Sequence, residues 1–249
     1  MHRIFKQEFG LNIYETVKSI RLQKASNLLI TNKKSTISEI SSTCGYSSQT
    51  SFIRAFNARF GMSPNKWRKG GFIEYSNKII NEVQKNLFSN TDYSKLSPII
   101  KKISPITVYY IRHHGYNEGI KSCWQRLQTF VLSNDIQSYS QIAIYHDNPI
   151  ITPLKDCNYV ACISIKDAKI PSKIDLPSFE LIAGVYAEFS AKGYNDDILK
   201  LAQWIYHEWL PSSGYKTTNK PSFIIYDENN FLNEDGFFSL KYYIPIVLI

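Results

Sequence analysis

Apolar and polar positions over residues 36–61 alternate at helical spacing. Thr36 followed three residues later by Glu39 is a capping-box start. Ile37, Ile40 and Cys44 then share one face before Gly45 breaks the run. Ser47 or Ser48 caps a second segment, in which Phe52, Phe56 and Phe60 form an apolar stripe that ends at Gly61. A short helix, a glycine-containing turn and a second helix with a polar outer face is the helix-turn-helix pattern. At about 100° per residue, Thr50, Arg54 and Asn57 cluster opposite the phenylalanines, with Gln49 and Ser51 flanking them in the first turn. Upstream, Ile13–Leu29 reads as a longer helix carrying Val17, Ile20, Leu28 and Leu29 as its apolar positions.

Beyond residue 97 the period changes from helical to alternating. Residues 71–97 read as a linker with some helix, and residues 98–249 as a separate α+β domain. Ile106–Gly115, Ser140–Pro149, CNYVACISI, SFELIAGVYAEFS, SFIIYDEN and YYIPIVLI read as strands. SCWQRLQTFVL and DDILKLAQWIYHEWL read as helices. GYNE at Gly115–Glu118 recurs as GYND at Gly193–Asp196, each after a strand and before a Trp-bearing helix. The expectation is therefore a duplicated βαβ-type unit on an antiparallel sheet, preceded by an all-α domain over residues 1–70. The cleft between the two units is the natural pocket.

Charge divides the chain at the same place. Residues 1–70 hold 12 Lys and Arg against 3 acids, whereas residues 71–249 hold 17 against 18. A basic excess confined to one helical segment is what attracts a phosphate backbone. Tyrosine is skewed the other way, which suits either strands or a pocket lined by rings with polar tips. Cys44, Cys123, Cys157 and Cys162 form no CxxC pair and read as reduced core residues, so no metal and no cofactor is expected. The start MHRIFKQEFG resembles no signal or transit peptide, and the longest apolar run, Tyr242–Ile249, is too short to span a bilayer. A cytoplasmic protein without membrane contact is expected.

The order and spacing of RIFKQEFG, RLQKASNLL, ISEISSTCGYSSQTSFIRAF and FGMSPNKWRKG resemble the DNA-binding domain of AraC-type transcription regulators. The resemblance implies double-stranded DNA as partner, with Gln49, Thr50, Ser51, Arg54 and Asn57 touching bases or backbone. It also implies RNA polymerase as a further partner. Arg to guanine and Asn or Gln to adenine are the pairings such side chains make in a major groove. FKQEFG at Phe5–Gly10 repeats as FNARFG at Phe56–Gly61, which sets Met1 opposite Phe52. A first helix-turn-helix that is incomplete at its start is expected, with weakened DNA binding.

IAIYHDNP, VYAEFSAKGYN, WLPSSGY and YYIPI resemble the GyrI-like effector-binding domain of Rob-type regulators. That resemblance implies a sensor of a small amphipathic aromatic molecule held by rings and a buried acid. Trp124 and Trp204, and Tyr145 and Tyr226, occupy equivalent places in the two units and are the ring candidates, with Glu188 the acid; core packing is the competing role for the rings. Lys241 stands where an acid is expected, which favours neutral or anionic ligands over cations. The alternative function is a stand-alone ligand-binding or hydrolase-type protein, with Glu188 or Glu208 and Tyr110 as its polar groups. The chain carries no GxSxG, HExxH or glycine-rich phosphate loop, so no enzyme is expected.

Overall fold

The computed structural model describes residues 12–83, 91–166, 174–195 and 197–249. The incomplete first helix-turn-helix expected at residues 1–10, with its FKQEFG copy, lies outside the described residues.

The all-α part begins with α1 (Ile13–Thr31), started by a capping box between Asn12 and Glu15. Next come α2 (Ile37–Thr43), α3 (Gln49–Phe60), the single turn α4 (Pro64–Lys66) and α5 (Phe72–Val83). The Thr36–Glu39 capping box forms, Ser48 is the cap of α3, and Gly61 closes that helix in the left-handed conformation. The capping box and Ser48 satisfy backbone N–H groups that a helix start otherwise leaves open, and the Gly61 N–H donates to the Asn57 carbonyl at the helix end. Gly45, between α2 and α3, has φ +77°, and a Cβ there would sit 3.3 Å from the Arg21 guanidinium. Only glycine takes both that dihedral and that contact at little cost.

The core of this part is aromatic. Phe52, Phe56, Phe60 and Trp67 are fully buried, with Phe60 and Trp67 ring centres 4.6 Å apart. The Trp67 indole N–H donates to the Ser26 carbonyl at 3.1 Å, which ties the end of the helix-turn-helix to the middle of α1. On α1 the buried apolar positions are Leu22, Ala25, Leu28, Leu29 and Ile30, whereas Val17 and Ile20 are exposed. The expected apolar stripe thus splits: its second half packs on α2 and the turn at Trp67, and its first half turns elsewhere. The chain then widens into a π turn at Trp67–Gly71, kinked at Gly70 (φ 108°), and continues as α5. Much of the expected linker is therefore regular helix.

The second part is one antiparallel sheet with helices on one face. Its strands are β1 (Ile99–Ile103), β2 (Ile106–His114), β3 (Tyr139–Tyr145), β4 (Asn158–Ile165), β5 (Ser178–Leu181), β6 (Gly184–Tyr194), β7 (Tyr215–Thr217), β8 (Ser222–Glu228) and β9 (Phe237–Leu248). α6 (Gly119–Ser133) follows β2; α7 (Asp197–Trp204), a π turn at Ile205–Trp209 and α8 (Leu210–Ser212) follow β6. The expected strand SFELIAGVYAEFS is two strands, β5 and β6, and the short β1 and β7 add to the expected set.

The strand order β1-β6-β9-β8-β3-β4-β2-β5 reads the same backwards when each strand is exchanged for its duplicate. The exchanges are β1 with β5, β2 with β6, β3 with β8 and β4 with β9. The two units meet where β3 pairs with β8: Ala143 lies opposite Ile224, Tyr145 opposite Ser222 and Gln141 opposite Tyr226. Each unit's first short strand crosses over to close the far edge of the other unit, β1 on β6 and β5 on β2. This exchange makes neither half complete alone, although both come from one sequence pattern.

Side chains alternate between the two faces of the sheet. Tyr145, Tyr159, Ala187, Phe189, Ile224, Tyr226, Leu240 and Tyr242 belong to the core under the helices, packed with Trp124, Leu127, Leu201 and Ile205. Val108, Ile142, Ile144, Val160, Cys162, Tyr186, Phe223 and Tyr243 form a second apolar cluster on the opposite face. All four cysteines are free and buried.

Candidate functional site

On α3 the buried phenylalanine stripe forces the opposite face outward. Gln49, Thr50, Ser51, Arg54 and Asn57 are all exposed. The Ser51 hydroxyl donates to the Ser48 carbonyl at 2.9 Å, so part of its capacity belongs to the helix start. Arg54 and Asn57 keep their side chains in solvent, one turn apart, which is the arrangement a groove-reading helix needs.

The candidates in the second part separate onto opposite faces of the sheet. Trp124, Tyr145 and Tyr226 lie in the core beneath the helices and are almost wholly buried. Trp124 meets the Tyr226 ring edge-on at 5.8 Å and donates its indole N–H to the Tyr159 hydroxyl at 3.0 Å. Burial raises the pKa of Tyr145 and of Tyr226, and neighbouring phenols add to it. Trp204 is half-buried against Phe189, at 6.1 Å. The helices α6 and α7 begin at equivalent places, so Trp124 corresponds to Ala202, and Trp204 to Arg126. The expected equivalence of the two tryptophans does not hold, because they sit two residues apart in their helices; that of Tyr145 and Tyr226 does.

Glu188 faces the other way, paired across the strands with Tyr243. The Tyr243 hydroxyl donates to its carboxylate at 2.6 Å and the Lys101 ammonium at 2.7 Å. Burial works against the charge on Glu188, but these two donors outweigh it and hold its pKa below the usual carboxylate value. Burial and the adjacent carboxylate push the Tyr243 phenol up. Lys241 lies on the same face with its ammonium 3.7 Å from Asp227. The buried acid is therefore neutralised from within the protein.

A feature with no sequence signal lies between the two parts. The loop after β3 holds both α1 and α3. Gln23 of α1 donates from its amide to Asp147 Oδ1 at 2.8 Å and accepts from the Asn148 backbone N–H at 3.0 Å. Asp147 is held for this task by Asn158, whose backbone and side-chain N–H groups donate to Oδ2 at 2.9 and 2.8 Å. Five residues on, Thr152 accepts from the Arg59 guanidinium of α3 at 3.2 Å. Asn27 of α1 donates to Thr217 at 3.3 Å, and Gln203 of α7 donates to Ser76 and Asn77 of α5 at 2.8 and 2.7 Å. Beside the Gln23 clamp is a cavity of about 290 Å³, walled by α1 on one side and by Tyr145–Asn148, Tyr206 and the 217–222 loop on the other. Tyr145 thus reaches the cavity; Trp124, Trp204, Tyr226 and Glu188 do not.

No helix among the described residues is long and apolar enough to cross a membrane.

Two family models match separate stretches of the chain. Residues 1–70 match the family model of a helix-turn-helix domain, and residues 96–247 match the GyrI-like small molecule binding domain. The Msm operon regulatory protein of Streptococcus mutans serotype c is 39% identical over 69 residues, 28% of this chain and 24% of that protein. The DNA gyrase inhibitor of Escherichia coli strain K12 is 26% identical over 138 residues, 53% of this chain and 83% of that protein. The match to the Msm regulator spans about a quarter of that relative's length. Among solved structures, the EcmrR–DNA complex determined by cryo-electron microscopy superposes with a TM-score of 0.50 at 16% identity, covering 100% of this chain and 82% of that one. The chain belongs to the GyrI-like small-molecule-binding family and carries an AraC-type helix-turn-helix domain ahead of that module.

Proposed function

We infer that this protein is a cytoplasmic transcription regulator that binds double-stranded DNA through α3 and senses a small molecule through its GyrI-like domain. Gln49, Thr50, Ser51, Arg54 and Asn57 face the DNA, and RNA polymerase is the partner on which the bound protein acts. The small molecule expected from the resemblance is amphipathic and aromatic, held near Tyr145 and Tyr226. The observation that carries the regulatory part is the loop after β3: Asp147 and Asn148 hold α1, and Thr152 holds α3. A change at the end of β3, at Tyr145, is therefore two residues from the contact to α1 and seven from the contact to α3. The basic excess over residues 1–70 supplies a salt-dependent attraction to phosphate.

The test is a gel-shift titration on a randomised duplex pool followed by sequencing of the retained fraction. Enrichment of one motif, with affinity falling steeply as salt rises, supports the reading. Binding of equal strength to every sequence removes the regulator and leaves a small-molecule-binding protein.

A second reading, hydrolysis, is favoured by the 2.6 Å contact between Tyr243 and Glu188. It is opposed by Lys101, because a carboxylate paired with an ammonium is a poor general base. Turnover of p-nitrophenyl acetate that disappears in Glu188→Gln would support it over the non-enzymatic reading.

A further inference from the structure

We propose that the cavity between α1 and the GyrI-like domain binds an uncharged polyhydroxylated molecule of monosaccharide size, and that its occupant sets the strength of the Gln23 clamp. At about 290 Å³ the cavity lies near the lower end of the roughly 300–1,000 Å³ typical of small-ligand sites. Its chemistry differs from that of the aromatic core behind it.

Hydroxyls and carboxamides supply the polar part of the wall: Thr16, Ser19, Asn27, Thr218, Asn219 and Ser222 all line it. Such groups donate and accept at once, as a molecule with a hydroxyl on most carbons also does. The charged groups at the wall are already engaged. Lys24 donates to the Thr43 carbonyl at 3.3 Å, and Lys220 donates to the Ala183 carbonyl. Both Asp147 oxygens accept from Gln23 and Asn158. A cationic ligand would have to break an Asp147 contact to be matched, whereas each ammonium keeps further N–H donors that the hydroxyls of an uncharged ligand can accept from without disturbing its carbonyl contact.

One donor is left over. Asn148 is 7% exposed, and its Oδ1 accepts from the Ile150 N–H at 3.2 Å, but its Nδ2 has no hydrogen-bond partner. A buried amide N–H₂ without an acceptor costs free energy, which an oxygen-bearing occupant returns. The rings of Tyr145 and Tyr206 and the exposed Ile20 supply the apolar surface that the C–H face of such a molecule covers.

The regulatory part follows from which residues make the wall. Gln23 and Asn27 of α1, and Asp147, Asn148 and Thr217 of the sheet domain, are both the cavity lining and the donors and acceptors that join the two parts. An occupant that binds one relative placement of the parts better than another shifts their equilibrium by that difference in affinity. This step rests on the DNA-binding reading; the presence of the site does not.

The experiment uses the full chain and a panel of xylose, glucose, galactose and mannitol, with citrate and benzyltrimethylammonium as charged comparisons. Sugars raise melting temperatures non-specifically by exclusion from protein surfaces, so calorimetric saturation is the criterion. At least one polyol is expected to bind saturably. Ile20→Trp, an exposed position that would fill the cavity, should abolish saturation without lowering the ligand-free melting temperature. Asn148→Asp, which keeps the Oδ1 acceptor and removes the orphan donor, should weaken binding at least tenfold. Saturating polyol should change DNA affinity at least threefold, and Gln23→Ala should erase that change while ligand still binds. Equal behaviour of wild type and Ile20→Trp overturns the site, and saturable binding of only citrate or the ammonium overturns the ligand class. Ligand binding with unchanged DNA affinity overturns the regulation. Failure to bind any duplex removes the DNA-binding reading instead, and calorimetry still decides the site.

Discussion

Arg59, at the end of the outward-facing helix α3, donates its guanidinium to the hydroxyl of Thr152, 93 residues away in the GyrI-like domain, at 3.2 Å. The same guanidinium lies 5.5 Å from the Phe60 ring, so the side chain is positioned from two sides. The helix assigned to DNA and the loop that borders the cavity thus share one hydrogen bond.

Breaking that bond should uncouple the two parts more than it destabilises either. Thr152→Val is expected to lower stability by about 1 kcal/mol, the usual net value of such a bond. Arg59→Ala removes its ring contact as well and should cost more. The double mutant should lose less than the sum of the singles, because neighbouring residues share one interaction. Urea titrations of the four proteins measure this directly, and strict additivity would show that the contact carries no energy.

Arg54 is exposed at the centre of the α3 face, clear of the domain interface. Arg54→Ala should leave the melting temperature within a degree or two. It should weaken binding to a selected DNA site by about 1–3 kcal/mol and relax preference at one base position. A uniform loss over all sequences would assign Arg54 to a phosphate.

Lys101 decides what Glu188 is able to bind. Lys101→Met leaves the carboxylate with Tyr243 as its remaining close donor, so its pKa should rise. The loss of stability should be roughly 1–3 kcal/mol, below the value for a fully buried pair because Lys101 is 42% exposed. A carboxylate with a lowered pKa stabilises the fold above its unfolded pKa and loses that contribution as pH falls. The variant should therefore show a shallower stability decline as pH falls below the usual carboxylate pKa. It should also bind benzyltrimethylammonium where the wild type does not. Equal binding by both proteins, read by tryptophan quenching, would mean that Lys101 does not compete for the acid.

His207 sits where α5 meets the π turn after α7, 4.7 Å from the Phe72 ring and with its Nε2 unpartnered. Burial depresses its pKa from 6.5 to about 4. Its folded form resists protonation while the unfolded chain accepts a proton, so stability is full above about pH 6.5 and falls between there and about pH 4. The loss should be on the order of 3 kcal/mol. His207→Gln should flatten the curve in that window, in thermal melts taken at half-unit pH steps. An unchanged curve would show that the ring is solvated in the folded protein.

The helix-turn-helix was legible because its information is local. Thr36 and Glu39 cap one helix, Ser48 caps the next, Gly45 and Gly61 supply the left-handed turns, and three phenylalanines at helical spacing set the face. Each signal involves residues within a few positions, where backbone sterics and hydrogen bonding decide the outcome. The duplicated α+β pattern was legible for the same reason, down to the equivalence of Tyr145 and Tyr226. What tertiary structure alone decided is which faces meet. Strand alternation puts Glu188 and Tyr226 on some face, but only the pairing register of β6, β9 and β8 sets them on opposite ones. The exchange of β1 and β5 between the units, the Lys101 partner of Glu188 and the Gln23–Asp147 clamp join residues far apart in the chain. Their partners are chosen by the packing of whole domains, and single polar side chains such as Gln23 carry no periodic signal by which a sequence could announce them.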